Sequence, residues 1–397
     1  MKWGRLAPLA AALALFASDA LADTIKVGLL FTYSGPGASL GDQQEKAVRL
    51  YIKQHEKDLP PGTKIELIRR DETGPNPDVT KRLAQELITR ERVQVLAGFT
   101  YTPNAMAVAP LATEAKVPMI VMNAGTSSIM RQSPYIVRTS FTMWQSGYPL
   151  GQWAAKQTGV KTAYTAVADY GPGYDIEASF TKGFTENGGQ IVGSVRMPVL
   201  AADYTPFLQR VKDAKPDVLI IFVPAGKQAT SIMKTYHDLG MAEAGIRLVG
   251  PGEVTPDEEL ANMGDILSGT IVTMHHYSAS ADRPANKAFI AAWRKEYGAE
   301  STPGFLAVGA WDGMAALFHA IKAQNGKLDP DKTIAVLKGW KTQDSPRGPI
   351  MIDPETRDIV QNVYLRRLDR IDGKLANVEV ETIPMVRDPW VKFNPPK

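Results

Sequence analysis

Residues 25–70 decide the fold: IKVGLLFTYSGPGASLGDQQEKAVRLYIKQHEKDLPPGTKIELIRR. Residues 25–31 and 64–70, at the two ends of this stretch, are short runs that predict β-strands, and residues 41–57 between them predict a helix. A strand, a helix and a second strand in this order favour a parallel βαβ unit with a right-handed crossover. The stretch therefore predicts a protein of the α/β class.

The alternation of strands and helices continues in two successive halves. In the first half, strands are predicted at 93–99 and 117–122, and helices at 78–90 and 103–115. After Trp144 the predicted strands are 161–168, 190–195, 217–223, 246–250, 269–274, 348–353 and 360–368, and the predicted helices are 180–187, 204–213, 227–239 and 256–263, with largely helical sequence at 284–338. Two such halves without a low-complexity linker predict two lobes packed close together.

The first 22 residues predict a secretory signal peptide. Lys2 and Arg5 precede an apolar run of about eleven residues, and Ala20-Leu21-Ala22 forms a small-x-small cleavage site. The apolar run is far shorter than the roughly 20 residues that span a bilayer. We therefore expect the mature chain to begin at Asp23, outside the cytoplasm.

The composition excludes several classes of function. The formal net charge is only +3, so no strong field gathers nucleic acid or anionic lipid, and we expect neither as a partner. The chain has no cysteine, which removes thiol catalysis, cysteine metal sites and lipid attachment at a new N-terminal cysteine. An exported protein without a lipid anchor would diffuse away from a single-membrane cell. We therefore expect the periplasm of a cell with an outer membrane.

Motifs for catalysis, cofactors and metals are weak. Residues 35–41, GPGASLG, follow a strand and open a helix, but the third glycine comes one residue too late for the dinucleotide motif G-x-G-x-x-G. The five histidines lack metal-binding spacing. No nucleophile with a partner base is marked out. We therefore expect no enzyme activity, no cofactor and no metal site.

Hydroxyl groups collect at the ends of two predicted strands in the first half. Thr100-Tyr101-Thr102 follows the third strand, and Asn123-Ala124-Gly125-Thr126 follows the fourth. Open α/β sheets bind ligands at the carboxyl ends of their strands, and hydroxyls with unpaired N–H groups at helix N-termini suit a carboxylate. Ordinary N-capping explains any one of these residues. Two such loops at equivalent strand ends favour a binding site.

Two loops of the second half are further candidates. Tyr170 and Tyr174 flank a Gly-Pro turn and could close an aromatic lid over a ligand, although Tyr174 could equally lie in a lobe core. Glu253 lies in the loop Gly250-Pro251-Gly252-Glu253-Val254. This acid either meets a ligand cation or lies in solvent.

Over nearly the whole mature chain, the order of these segments resembles one family. It is the type I periplasmic solute-binding proteins of the branched-chain amino acid class (leucine-binding protein-like), the capture subunits of ABC importers. The segments that carry the resemblance are Ile25-Lys26-Val27-Gly28, Tyr33-Ser34-Gly35-Pro36, Gly41-Asp42-Gln43, Arg70-Asp71-Glu72, Val117-Pro118-Met119-Ile120, Ala124-Gly125-Thr126, Asp169-Tyr170-Gly171, Gly250-Pro251 and Arg347-Gly348-Pro349-Ile350. No single segment is specific for this family, but the order of the segments along the chain is.

The resemblance implies two Rossmann-like α/β lobes with parallel sheets, joined by a three-stranded hinge, that close on a solute. Residues 23–142 and 276–346 would form the N-terminal lobe, and residues 143–275 and 347–397 the C-terminal lobe. It also implies a monomer that delivers a small-molecule ligand to permease subunits of an ABC transporter in the inner membrane, without entering the membrane itself.

The resemblance also implies a set of ligand-binding positions. By local match, the ligand carboxylate meets hydroxyl and N–H groups at Thr102, Ala124 and Thr126. The second-lobe aromatic residue matches Tyr170, and a wall residue of a late helix matches Phe305 or Leu306. The complete set of predicted ligand-binding residues is Leu40, Tyr101, Thr102, Ala124, Thr126, Tyr170, Tyr174, Glu253 and Phe305.

One departure from the family pattern bears on the ligand. Amino-acid binders of the family place an acid directly after Gly-Pro to pair with the ligand ammonium, whereas this chain has Gly252 there and Glu253 one residue later. A displacement of one residue in an extended loop turns the side chain away. Leu40 also stands where an amino-acid binder often has an aromatic residue. We therefore favour an aromatic carboxylic acid over a branched-chain or other neutral amino acid.

Two hypotheses of other classes remain open. The same fold could serve as the ligand-sensing partner of a membrane receptor, acting through a separate sensor. An exported hydrolase is a third hypothesis, which turnover of an ester or amide by the purified protein would support.

Overall fold

In residues 24–264 and 269–395, which a computed structural model describes, two β-sheets organise the chain. The predicted signal peptide, residues 1–22, lies outside the described residues. Both sheets are flanked by helices, and apolar side chains between the layers form the cores.

Within residues 24–264, the first sheet has five parallel strands in the order β2-β1-β3-β4-β5. The strands are β1 (Thr24–Phe31), β2 (Lys64–Asp71), β3 (Val95–Gly98), β4 (Met119–Val121) and β5 (Ile136–Arg138). The connecting helices are α1 (Ala38–His55), α2 (Pro77–Glu86) and α3 (Thr102–Ala115). The strand–helix alternation predicted from residues 25–122 is present, and β5 is an addition to it.

In the described part of the chain, the second sheet has nine strands in the order β11-β12-β13-β10-β9-β8-β6-β7, with β14 paired to β13. The strands are β6 (Thr162–Ala168), β7 (Gln190–Met197), β8 (Val218–Phe222), β9 (Arg247–Pro251), β10 (Ile271–His275), β11 (Lys341–Thr342), β12 (Ile350–Ile352), β13 (Ile359–Ile371) and β14 (Lys374–Val386). Strands β6 to β10 are parallel. The parallel strands β6 to β10 agree with the predicted parallel sheet, and strands β11 to β14 add antiparallel pairs that make this sheet mixed.

The remaining helices divide between the two sheets. They are α4 (Met143–Ala155), α5 (Gly171–Thr185), α6 (Thr205–Ala214), α7 (Lys227–Asp238), α8 (Leu260–Met263), α9 (Pro284–Tyr297), α10 (Phe305–Ala323), α11 (Pro330–Leu337) and α12 (Trp390–Phe393). Helices α4 to α8 accompany the second sheet, while α9 and α10 pack against α1 and α11 contacts β5. Among the described residues, no helix combines the length and the apolar character needed to cross a bilayer.

The chain passes between these two groups of elements three times in the described residues, near 139–142, 276–283 and 338–340. Buried Arg347, between β11 and β12, ties the second sheet to the first passage and to α10. Its guanidinium donates to the carbonyl oxygens of Thr139 and Ser140, and it pairs with Asp312 of α10 at 2.7 Å. Three passages match the number expected for the hinge, and the lobe boundaries themselves stay a prediction.

Candidate ligand-binding site

A cavity with about 410 Å³ of empty space lies between the carboxyl ends of the strands of the two sheets. The predicted residues that line it are Leu40, Tyr101, Thr102, Ala124, Tyr170, Glu253 and Phe305. Sequence reasoning from strand ends and from the family match therefore converged on one cavity.

Thr102 presents hydrogen-bond donors to the cavity from the first sheet. It is the first residue of α3, so its N–H belongs to the first turn, which has no intrahelical acceptor. Its Oγ1 is buried and has no hydrogen-bond partner within residues 24–264 and 269–395. A buried hydroxyl without a partner is costly, and a ligand oxygen would satisfy it.

Thr126 is not among the lining residues, but it follows Gly125 of the cavity wall and has the same property as Thr102. It is buried, and its Oγ1 also lacks a hydrogen-bond partner among the described residues. A Cβ placed on Gly171 would lie 2.7 Å from Thr126 Oγ1 and 3.2 Å from Thr102 Cγ2. Gly171 is the first residue of α5. The N-termini of α3 and α5 therefore approach each other from opposite sheets, and both favour negative charge.

Ala124 lines the cavity but does not offer the N–H group that was predicted. Its N–H donates to Phe99 O at 3.0 Å, and its carbonyl accepts from Arg138 Nη1 at 2.9 Å. Arg138 is fully buried and also donates to Thr126 O at 2.8 Å. The prediction that Ala124 donates to the ligand is wrong, because its N–H already donates to Phe99. Its carbonyl is also occupied, by Arg138. Ala124 contributes a small apolar wall.

Aromatic rings form the other walls. The Tyr170 and Phe222 rings lie nearly parallel, at 11° with centroids 6.1 Å apart, and the Phe141 and Phe305 rings meet edge to face at 5.8 Å. Burial raises the pKa of Tyr170 well above its usual range, so its hydroxyl stays neutral. A flat apolar ring fits between such walls.

Tyr174 does not take part in the cavity, contrary to both predicted roles. Its side chain is 42% exposed. Its hydroxyl donates to Asp169 Oδ1 at 2.9 Å, and the Arg196 guanidinium lies over its ring at 4.5 Å. These surface partners hold the ring on the outside of α5, so it is neither a lid nor a core residue.

Glu253 faces the cavity, although the one-residue displacement predicted that it would turn away. It is 5% exposed, and its Oε2 lies 3.6 Å from His275 Nε2. Burial raises its pKa to about 7, despite the opposing influence of Arg366. The loop after β9 is a short 3₁₀ turn over Gly252–Val254, so strand alternation does not apply there.

Contacts between the two sides show that the cleft is closed. Asp175 of α5 accepts a 2.8 Å hydrogen bond from the N–H of Ser127, which follows Thr126 in the first-sheet loop. A Cβ on Gly226 would lie 3.5 Å from Leu40 Cδ2 across the cleft. A ligand in the cavity would therefore be enclosed by both sides.

Residues 24–374 match the family model described as periplasmic binding protein. The chain belongs to the periplasmic binding protein family. This confirms the family predicted from the order of the segments, and the family comprises solute-binding proteins and not enzymes.

Individual members of the periplasmic binding protein family are similar along almost the whole chain. Leu/Ile/Val-binding protein homolog 6 of Brucella melitensis biotype 1 is 42% identical over 383 residues, which are 96% of this chain and 97% of the relative. A solute-binding protein of an ABC transporter from Rhodopseudomonas palustris BisB5, solved in complex with 3,4-dihydroxybenzoic acid, is 51% identical with a TM-score of 0.88, covering 93% of this chain and 99% of that one. A similar protein from Rhodopseudomonas palustris HaA2, in complex with p-hydroxybenzoic acid, is 47% identical with a TM-score of 0.87, covering 92% and 98%.

Several wall residues of this periplasmic binding protein were not predicted from the sequence. They are Phe141, Met143, Phe222, Pro224 and Ala225, whereas Thr100, Asn123, Gly125 and Pro172 lie in loops that the sequence had marked. Phe222 to Ala225 follow the end of β8, so the strand-end rule could have found them had it been applied to that strand. Phe141 and Met143 lie in a passage between the sheets, where no local pattern marks a ligand contact.

Proposed function

We propose that the chain is the solute-binding component of an ABC importer and captures an aromatic carboxylate of the hydroxybenzoate class. The observation that carries the proposal is the meeting of two helix N-termini at the unpartnered hydroxyls of Thr102 and Thr126. Helix N-termini stabilise anions, and charge-assisted hydrogen bonds from hydroxyls add to that stabilisation. The ligand carboxylate would sit at this point, with its ring between the aromatic walls.

The surroundings of these anchors are less suited to an amino acid. An ammonium group needs carbonyl or carboxylate oxygens, but Arg138 already binds the carbonyls of Ala124 and Thr126. Both carbonyls therefore already accept a hydrogen bond from a guanidinium, which itself pairs with Asp358 at 3.0 Å. Glu253 has a pKa of about 7 because it is buried, so it does not offer a full negative charge at neutral pH. Both features support an acid without an ammonium group.

The relatives point to the same ligand class and to one alternative. The two similar proteins from Rhodopseudomonas palustris carry hydroxybenzoic acids in their structures. The Brucella relative bears the name of a Leu/Ile/Val-binding homolog, and this name keeps a branched-chain amino acid as the second candidate.

In this proposal the protein works by closure and delivery. Residues 23–142 and 276–346 would form one lobe, and residues 143–275 and 347–397 the other, in an equilibrium between open and closed forms that the ligand shifts. Residues 1–22 would be removed on export, and the monomeric mature chain would present its closed form to permease subunits of the importer.

A thermal-shift screen tests the proposal. The mature chain is heated with 4-hydroxybenzoate, 3,4-dihydroxybenzoate, benzoate, leucine or valine, and 4-hydroxybenzyl alcohol serves as the control that lacks a carboxylate. A ligand at 100 times its Kd adds about 2.7 kcal/mol to the free energy of unfolding. We expect the hydroxybenzoates to raise the melting temperature and the alcohol to leave it unchanged. Stabilisation by leucine or valine alone would refute the proposed ligand class.

A further inference from the structure

Glu253 stands apart from the other residues of the cavity. Among the described residues that line it, Glu253 is the only one with an Asp, Glu, Lys, Arg or His side chain. It follows β9 of the second sheet, whereas Thr102 follows β3 of the first sheet. The acid and the proposed carboxylate anchor therefore reach the cavity from opposite sides of the cleft.

The surroundings of Glu253 leave its carboxyl group in need of a hydrogen bond. Its Oε2 is buried and has no hydrogen-bond partner among the described residues. His275 Nε2, at 3.6 Å, is too distant for a good hydrogen bond. Burial lowers the pKa of His275 well below its usual range, so the neighbouring ring is neutral and forms no ion pair with Glu253.

His275 holds this arrangement in place. Its ring packs against Phe141 at 5.3 Å and edge to face against Phe305 at 4.7 Å, and it is fully buried. Both phenylalanines line the cavity. The imidazole therefore packs beside the carboxyl group, and a ligand in the cavity that Glu253 lines can supply the missing hydrogen-bond partner.

Three ligand groups could in principle meet this oxygen. A ligand carboxylate would be repelled by an ionised Glu253 and has better donors at Thr102. An ammonium group would need a fully ionised partner. A hydroxyl group can donate to the carboxylate and can also accept from the protonated carboxyl, so it satisfies Glu253 in either form.

We propose that Glu253 recognises a ring hydroxyl of the bound acid, so that the protein prefers hydroxylated benzoates to benzoate itself. This inference rests on the proposed function, because it assumes an aromatic carboxylate in the cavity. Benzoate has no ring hydroxyl, so in its complex the carboxyl group of Glu253 would be buried without a hydrogen-bond partner. The desolvation cost of that unpartnered group would weaken the binding of benzoate. Glu253 is then the residue that determines specificity within the ligand class.

Isothermal titration calorimetry on the mature chain tests the inference with three ligands. We expect 4-hydroxybenzoate to bind about 10- to 100-fold more tightly than benzoate, as a hydrogen bond to a charged or buried acid predicts. The methyl ether 4-methoxybenzoate cannot donate, so we expect it to bind no more tightly than benzoate. In Glu253→Met the ratio of the benzoate and 4-hydroxybenzoate Kd values should fall to about one, whereas Glu253→Gln should keep part of it because an amide still forms hydrogen bonds. Glu243→Gln, at an exposed acid of the same half of the chain, is the matched control and should keep the full ratio.

Equal affinity of the natural chain for benzoate and 4-hydroxybenzoate would overturn the inference, and so would a Glu253→Met variant that keeps the full preference. The comparison of the three ligands on the natural chain needs no variant, so it remains decisive if Glu253→Met fails to fold. Benzoate binding without discrimination would leave the proposed function intact. Failure of every aromatic acid, with binding of leucine, would refute the proposed function itself.

Discussion

Gly171→Ala should weaken ligand binding by obstructing closure of the cleft. The added Cβ would lie 2.7 Å from Thr126 Oγ1, about 0.7 Å closer than an ordinary van der Waals contact of about 3.4 Å. Either the two sides separate or Thr126 rotates away from the ligand. Overpacking by one methyl group costs about 1–3 kcal/mol, and here the cost falls on the closed form. The Kd for 4-hydroxybenzoate should therefore rise about 5- to 150-fold.

Calorimetry and small-angle scattering measure this effect together. Gly171 does not have a positive φ, so alanine fits its backbone and the ligand-free fold should be unaffected. In scattering, the ligand should reduce the radius of gyration less in the variant than in the natural chain. Ala178→Ser adds one atom on the exposed side of the same helix and is the matched control. A Gly171→Ala protein that binds within twofold of the natural chain would refute the role of this contact in closure.

Three further predictions concern the anchors, a buried acid and the hinge. Thr102→Ala and Thr126→Ala should each weaken binding by about 1–3 kcal/mol in calorimetry, because each removes a hydroxyl that would bind the carboxylate. Burial raises the pKa of Glu72 to about 8, so the folded state favours the neutral carboxyl group. The contribution of Glu72 to the free energy of unfolding is therefore present at low pH and is lost as the pH rises from about 4.5 to 8. Glu72→Gln should flatten part of that pH dependence in denaturant unfolding. Arg347→Met should reduce the free energy of unfolding by about 3–5 kcal/mol, because it leaves Asp312 buried and unpaired.

Each of these predictions has a control and a contradicting result. Thr102→Ser keeps a hydroxyl and should bind almost as tightly as the natural chain; unchanged affinity in both alanine variants would refute the assigned anchors. For Glu72, the matched variant is Glu66→Gln, at an exposed acid of β2, the strand that Glu72 follows. An identical pH profile in Glu72→Gln and the natural chain would contradict the raised pKa of Glu72. Arg347→Lys keeps the charge and should lose less stability than Arg347→Met, whereas full stability of Arg347→Met would contradict the pairing in the hinge.

The strand–helix alternation was predictable because parallel strands buried on both faces read as short apolar runs. Helix α4 was missed because Gly147, Pro149 and Gly151 are poor helix formers. The structure explains the two glycines, since a Cβ on either would collide with α5, at Ser179 and Phe180 respectively. The close packing of α4 against α5 therefore stabilises a helix in a segment whose local sequence disfavours one.

The antiparallel part of the second sheet was only partly predicted. Strand β14 follows β13 through a two-residue loop, Asp372-Gly373, with φ values of 49° and 78°. Asp-Gly between two runs of this kind is a strong signal for a β-hairpin, so this strand could have been found from the sequence. The predicted strands at 348–353 and 360–368 correspond to β12 and β13, and their antiparallel pairing was not predicted.

Within the candidate site, the strand-end rule located the cavity but could not assign each residue's role. The N–H of Ala124 donates to Phe99 O, and its carbonyl accepts from Arg138, which lies 14 residues away in sequence on β5. Tyr174 of α5 is held outside by Arg196 of β7. Glu253 turns inward because its loop is a 3₁₀ turn. Each outcome depends on contacts that are distant in sequence or on local geometry without a sequence signature.

A crystal structure of the mature chain grown with 3,4-dihydroxybenzoate tests the central claim most directly. We predict the ligand in the cavity, with a carboxylate oxygen about 2.5–3.0 Å from Thr102 Oγ1 and the ring between Tyr170 and Phe305. A ligand whose carboxylate lies at another site, or an amino acid retained in the cavity from the expression host in its place, would contradict the account.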